Sequence, residues 1–366
     1  MRTRDHLLES GYDMGTAGTL TFNLDFSDPI TTIELMFAAT NGATYNKNNP
    51  LERNISKIEI VDGGQVLWDL PGDVALATAC HLKGSVPSRY YTEIGSDSPY
   101  QKIPIVFGRY LYDTLFGFNP NAHKNPQLKV TFDEATVRAA GATGFVSDSL
   151  TLSILVRLME DTSPPQGFLS CRDVYQYTSL ASGDTRIEMP TDRLLRMLIV
   201  RCYEAGIDLR SGITNYKLSA DGSKFVPFDL SSAVMVDVMS DVFPQITVNS
   251  LLYVADTVAA QTWVGIDDLG QLTCRNPLYY ASADTFWPGQ VTPYIHLHDG
   301  TAKTDGNVFA HVNGWCMHNT LLHPFGNLDD ISQWFDVRPY RQLDLFLTNG
   351  NAGAEVNVGV QQLYTY

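Results

Sequence analysis

The chain has 366 residues, of which 44% are hydrophobic and 18% charged, and its formal net charge is −15. Such a composition buries a real core, which excludes a disordered tail or linker. The acidity repels phosphate backbones, so specific nucleic-acid binding is not expected.

The cysteines, Cys80, Cys171, Cys202, Cys274 and Cys316, are odd in number and never fall in a CxxC spacing. Buried free thiols are expected, with no disulfide. No stretch approaches the roughly 18 apolar residues of a membrane-spanning helix. The first ten residues contain no apolar core of a secretory signal.

Strand-like alternation begins with Leu20, Phe22, Leu24 and Phe26 and resumes, after Pro29, with Ile33, Leu35 and Phe37. Spacing by two puts one face of a strand on a core and the other toward water or a neighbour. Ile58 and Ile60 lead into Asp62-Gly63-Gly64, a hairpin signal, and Val66-Leu67-Trp68 resumes the strand. The alanine-rich segment Val74–Leu82 predicts a short helix. Tyr110–Phe118 is ambiguous. Leu128, Val130 and Phe132 alternate again, as do Leu150 to Leu158.

The turn-forming run Asp161-Thr-Ser-Pro-Pro-Gln-Gly167 breaks the rhythm. Beyond it, Ile187, Met189, Leu198, Val200, Cys202, Tyr216 and Leu218 restart the pattern, and Val356, Val358 and Val360 close it. The expected division is an arm over 1–14, a sandwich over 15–165, a linker over 166–184 and a second sandwich over 185–366.

Three blocks recur in the same order in the two halves, the mark of an internal repeat. Leu24, Phe26, Pro29, Ile33, Leu35 and Phe37 correspond to Ile187, Met189, Pro190, Leu198, Val200 and Cys202. Ile55 to Asp62-Gly63 and the run ending at Asp69-Leu70 correspond to Ile213 to Asp221-Gly222 and the run ending at Asp229-Leu230. Gln127-Leu-Lys-Val-Thr-Phe matches Gln342-Leu-Asp-Leu-Phe-Leu.

In this layout the chain resembles the double jelly-roll major capsid proteins of the adenovirus-like lineage, which includes tailless icosahedral, often membrane-containing, bacteriophages. Ile187 to Val200, Ile213 to Leu230 and Asn125 to Asp133 carry the resemblance. It implies an all-β fold of two tandem eight-stranded jelly-roll sandwiches with short helices in loops. It further implies a structural, non-enzymatic subunit of a virion, made in the host cytoplasm. Homotrimers with six barrels would tile an icosahedral shell. The partners would be further copies of itself, penton or minor capsid proteins, and a membrane or internal layer beneath the shell. A two-domain jelly-roll protein that binds or hydrolyses carbohydrate is the competing reading.

Catalytic signatures are missing from the sequence. It holds no phosphate-binding loop, no His-Glu-x-x-His pair and no Gly-x-Ser-x-Gly elbow. His296, His298 and His311 are the only metal candidates, because His296-Leu-His298 on a strand would direct two imidazoles to one face. The acidic residue that a cupin-type site places a few positions later is replaced by Thr301-Ala-Lys-Thr304, so no cofactor is expected. The aromatic loops of 85–125 and 265–335 are the expected trimer contacts, with Phe118, Tyr279, Trp287 and Trp315 as anchors.

Overall fold

A computed structural model describes residues 1–43, 46, 50–134, 144–204, 207–254, 260–261, 265–275, 294–295 and 306–366. In the first half the strands are β1 (Arg2–Asp13), β2 (Ala17–Asn23), β3 (Ile30–Ala38), β4 (Ile55–Asp62) and β5 (Gln65–Leu70). Helix α1 (Gly72–Lys83) follows, then β6 (Arg89–Tyr90), β7 (Tyr100–Val106), β8 (Pro126–Asp133) and β9 (Thr151–Glu160). They form two antiparallel sheets, ordered β1-β9-β3-β7-β6 and β2-β8-β4-β5. Alternate side chains meet between the sheets. Ile33, Leu35, Phe37, Leu128, Val130, Ile154 and Val156 are buried there.

The second half opens with β10 (Gly167–Thr178), β11 (Gly183–Glu188), β12 (Leu195–Tyr203), the short α2 (Leu209–Gly212), β13 (Ile213–Ala220) and β14 (Phe225–Ser231). Helix α3 (Ser232–Val242) leads to β15 (Ile246–Val254), β16 (Ala260–Gln261), β17 (Ile266–Arg275), β18 (Tyr294–Ile295) and β19 (Gly306–Met317). The chain closes with β20 (Thr320–Pro324), β21 (Leu343–Asn349) and β22 (Glu355–Thr365). Its two main sheets run β10-β22-β12-β20 and β11-β21-β13-β14. Strands β15, β19 and β17 form a further sheet, and β16 pairs with β18.

The two orders are the same once β10, β11, β12, β13, β14, β20, β21 and β22 are matched to β1, β2, β3, β4, β5, β7, β8 and β9. Each is the eight-stranded jelly-roll order, in which the chain passes repeatedly from one sheet to the other. The fold is therefore a double jelly roll. The hairpin aspartates show how closely the halves repeat. Asp62 accepts from the backbone N–H of Lys124 and Asn125, and Asp221 accepts from those of Arg341 and Gln342. Each carboxylate thus joins the turn after β4 or β13 to the start of β8 or β21.

The expected boundaries need two corrections. Residues 1–14 are not a detached arm, because β1 pairs along β9 from Arg2 opposite Glu160 to Asp13 opposite Thr151. Residues 166–184 are not a linker, because β10 pairs along β22 from Gly167 opposite Thr365 to Thr178 opposite Glu355. The alternating pattern failed at both strands for opposite reasons. Nearly all of β1 is wet on both faces, whereas Gly167 to Cys171 are dry on both. Period-two patterning is clearest where one face is wet and the other dry.

Candidate functional site: the junction between the sandwiches and its open counterparts

The contact between the two sandwiches buries one face of each. Strand β5 and helix α1 of the first sandwich lie against β10, β12 and the β19–β20 turn of the second. The Ser170 hydroxyl donates to the Leu67 carbonyl, and the Asp173 N–H donates to Asp69 at 3.4 Å. Arg201 meets Asp73 at 2.7 Å, and His318 meets Glu52 at 2.9 Å, with both members of each pair almost fully buried. The Arg53 guanidinium lies 4.2 Å from the centre of the Tyr203 ring and donates to its hydroxyl. The imidazole of His81 accepts the Met317 N–H at 3.2 Å.

Burial shapes the chemistry of this junction. Burial alone would raise the Glu52 carboxyl, but the hydrogen bond and charge of His318, with Arg89, hold it below its usual value. Burial lifts Asp173 to about 6, with the Asp69 charge adding to the effect. Burial also lowers His81 to about 3, which keeps its ring neutral and able to accept.

The repeat places a second copy of each junction face elsewhere on the chain, and among the described residues these copies are more exposed. Leu67 and Asp69 on β5 are buried, while their counterparts on β14 are half-buried Pro227 and exposed Asp229. Gly72 to His81 of α1 are all buried, while α3 buries only Ser232, Met235, Val236 and Met239. Val234 and Val242 on α3 are exposed, as are Asp237 and Asp241. On the other side, Phe168 to Cys171 of β10 are buried, while their counterparts on β1, Arg2 to Asp5, are exposed. Leu7, which corresponds to Asp173, is 52% exposed.

The residues expected at the site are placed differently. Phe118 is fully buried and packs within the chain against Phe107, Phe168 and His123, so its ring has no surface to offer a partner. Its counterpart in the repeat is Phe335. The two occupy matching bridges, Phe118 to Ile30 and Phe335 to Leu195. Trp315 is half-buried and donates its indole N–H to the Phe243 carbonyl at 2.9 Å, which joins β19 to the end of α3. His311 is exposed and lies 2.8 Å from Asn249. Tyr279, Trp287, His296 and His298 lie outside the described residues. Among the described residues no group of three His, Cys, Asp or Glu is placed to hold a metal.

Solved structures share the double jelly roll along the whole chain. The major capsid protein of bacteriophage PM2 matches with a TM-score of 0.56 at 11% identity, covering 100% of this chain and 98% of its own. The quasi-atomic model of the PBCV-1 virus capsid matches at 0.59 and 10% identity, covering 99% and 93%. A chain of the Sulfolobus Turreted Icosahedral Virus structure matches at 0.61 and 10% identity, covering 99% and 90%. No protein-family model matches the sequence, and no curated protein does. At these identities the likeness establishes the fold.

Proposed function

We propose that the chain is the major capsid subunit of an icosahedral virus and that copies associate head to tail through the uncovered junction faces. The observation that carries this reading is the unequal burial of equivalent surfaces. Each chain contains one satisfied junction and both halves of an unsatisfied one. The β14–α3 half carries exposed Phe225, Val226, Val234 and Val242, and the β1 half carries Leu7 and Tyr12. Contact between unlike faces is heterologous, and it closes into a ring when the rotation permits. Three chains closing in this way give six sandwiches around one axis, a block that tiles a shell. Copies of itself are the first partners. Vertex or minor capsid proteins, and a membrane or other layer beneath the shell, are the further partners of this reading, and the virion is its location.

Sedimentation of the purified chain, with electron microscopy of the product, tests the proposal. Trimers or closed shells are expected. The variants Val234→Glu and Val242→Glu should dissociate the trimer while the circular dichroism spectrum stays unchanged. A wild-type chain that remains a folded monomer at micromolar concentration contradicts the proposal.

A further inference from the structure

A groove of about 430 Å³ opens on the first sandwich between α1, β7 and the segment that follows β7. Its wall is mostly carbon, from Trp68, Leu70, Ala75, Ala79 and Ile105, with Cys171 and Gln361 of the second sandwich also lining it. Cavities of this size and character are typical of sites for small apolar ligands that carry a few polar groups.

The repeat explains why the space is there. Val74 on α1 corresponds to Val234 on α3, so Ala75, Thr78 and Ala79 hold the positions of Met235, Val238 and Met239. In the second sandwich Met235 and Met239 are fully buried, and the Met239 sulfur lies 3.4 Å from the Leu322 nitrogen on β20, the counterpart of β7. Thioether chains occupy there what two alanines leave open in the first sandwich. The Thr78 hydroxyl, on a residue 4% exposed that lines the groove, has no hydrogen-bond partner among the described residues. An unpaired buried hydroxyl costs stability unless a ligand or water satisfies it.

The groove lining is cationic in a chain whose net charge is −15. Lys83, Lys102, Arg109 and Arg157 line it, with Glu34 as the one carboxylate of the lining among the described residues. Glu34 is shared by Lys102 at 3.1 Å and Arg157 at 3.3 Å. Arg157 also meets the more exposed Asp5 at 3.9 Å, and Arg109 is held by Asp113 at 2.7 Å. Lys83 is exposed.

We propose that this groove binds a free single-chain carboxylate amphiphile of the fatty-acid class. The alkyl chain would lie along Trp68, Leu70 and Ile105, and the carboxylate would meet Lys83, Lys102 and Arg157. This inference rests on the groove of one chain and does not depend on the capsid reading.

Calorimetric titration of the full chain with laurate tests it, with dodecanol and phosphatidylglycerol vesicles as comparisons. The expected result is a single saturable laurate site per chain, with dodecanol weaker by about tenfold, the effect of roughly 1.4 kcal/mol of head-group recognition. Ala79→Met, which gives α1 the residue of α3, should weaken laurate by at least about tenfold by filling the groove. Photo-labelling of the wild type with a diazirine-bearing laurate keeps the test open should that variant not fold. Label on the groove-lining positions, the segments 68–83 and 102–111 with Glu34, Arg157, Cys171 and Gln361, supports the site, and label spread elsewhere overturns it. No saturable binding, equal binding of dodecanol, equal affinity in the folded Ala79→Met variant, or uptake of vesicles without laurate also overturns it.

Discussion

Arg201 of β12 and Asp73 at the start of α1 form an ion pair of 2.7 Å across the junction of the two sandwiches, with side chains 4% and 8% exposed. Removing one member of a buried pair strands the other charge in a medium that solvates it poorly. Asp73→Ala should therefore destabilise the chain by about 3 kcal/mol, the low end of the range for buried pairs, because Glu355 and Asn357 still hold Arg201. Glu355 is 62% exposed, so Glu355→Ala should cost less than about 1 kcal/mol. Urea unfolding of both variants checks the contrast.

Acid should weaken the fold before carboxylates protonate in bulk. Burial lowers His81 to about 3 and His323 to about 4, and it also holds His123 down. The unfolded chain takes up these protons near pH 6.5, so the stabilisation is complete above that pH and is lost as pH falls toward the folded values. His81 and His323 each contribute a slope of about 1.4 kcal/mol per pH unit between their unfolded and folded values. Asp173, raised to about 6, acts in the opposite sense between its unfolded and folded values and offsets part of the slope. His323→Phe keeps a ring against Phe228 and Phe325 and removes one titration. Its stability profile between pH 6 and 4 should be shallower by about 1.4 kcal/mol per unit, measured by urea midpoints. A profile parallel to the wild type would contradict the burial of a neutral His323.

Gly84 ends α1 in the left-handed region at φ 69°, and its N–H reaches the carbonyls of Cys80 and His81. A Cβ there would also lie 2.7 Å from Pro244 Cγ, across the junction. Gly84→Ala should cost about 1–2 kcal/mol from backbone strain alone. Added crowding against Pro244 should lower the thermal midpoint further. A midpoint unchanged by this substitution would mean that α1 and Pro244 are not in contact.

Cys80, Cys171, Cys202 and Cys316 are buried, and burial pushes the Cys171 and Cys202 thiols up to about 12. Thiols held this far from ionisation are poor nucleophiles. These four should react with Ellman's reagent only on unfolding, and dithiothreitol should leave the thermal midpoint unchanged. Rapid labelling of any of them in the native protein would place that thiol at the surface.

The sequence carried the sandwich core plainly, because Leu128, Val130, Ile154 and Val156 alternate with less buried neighbours, and Ile33 and Leu35 flank the polar Glu34. The hairpin aspartates, the helix at α1 and the duplication were legible for similar local reasons. The register of the repeat was legible only in part. Backbone pairing matches Leu24 to Met189 and Asn125 to Gln342, two residues away from the sequence matches of Leu24 to Ile187 and Gln127 to Gln342. A slip of two leaves an alternating pattern unchanged, so hydrophobicity cannot detect it.

What the amino-acid order determined alone was the local part: strand periodicity, turn chemistry, the helix of small residues, and the fact that these features occur twice. The tertiary structure decided which of two equivalent faces is covered. Leu67 and Asp69 are dry because a second sandwich lies over them, while Pro227 is half-buried and Asp229 exposed. Burial depends on what packs from outside the strand, and that partner is supplied by residues more than a hundred positions away, as with Ser170 and Leu67. The same physics hid β10, which two dry faces made look like a linker. It also moved Phe118 from an expected interface into the interior.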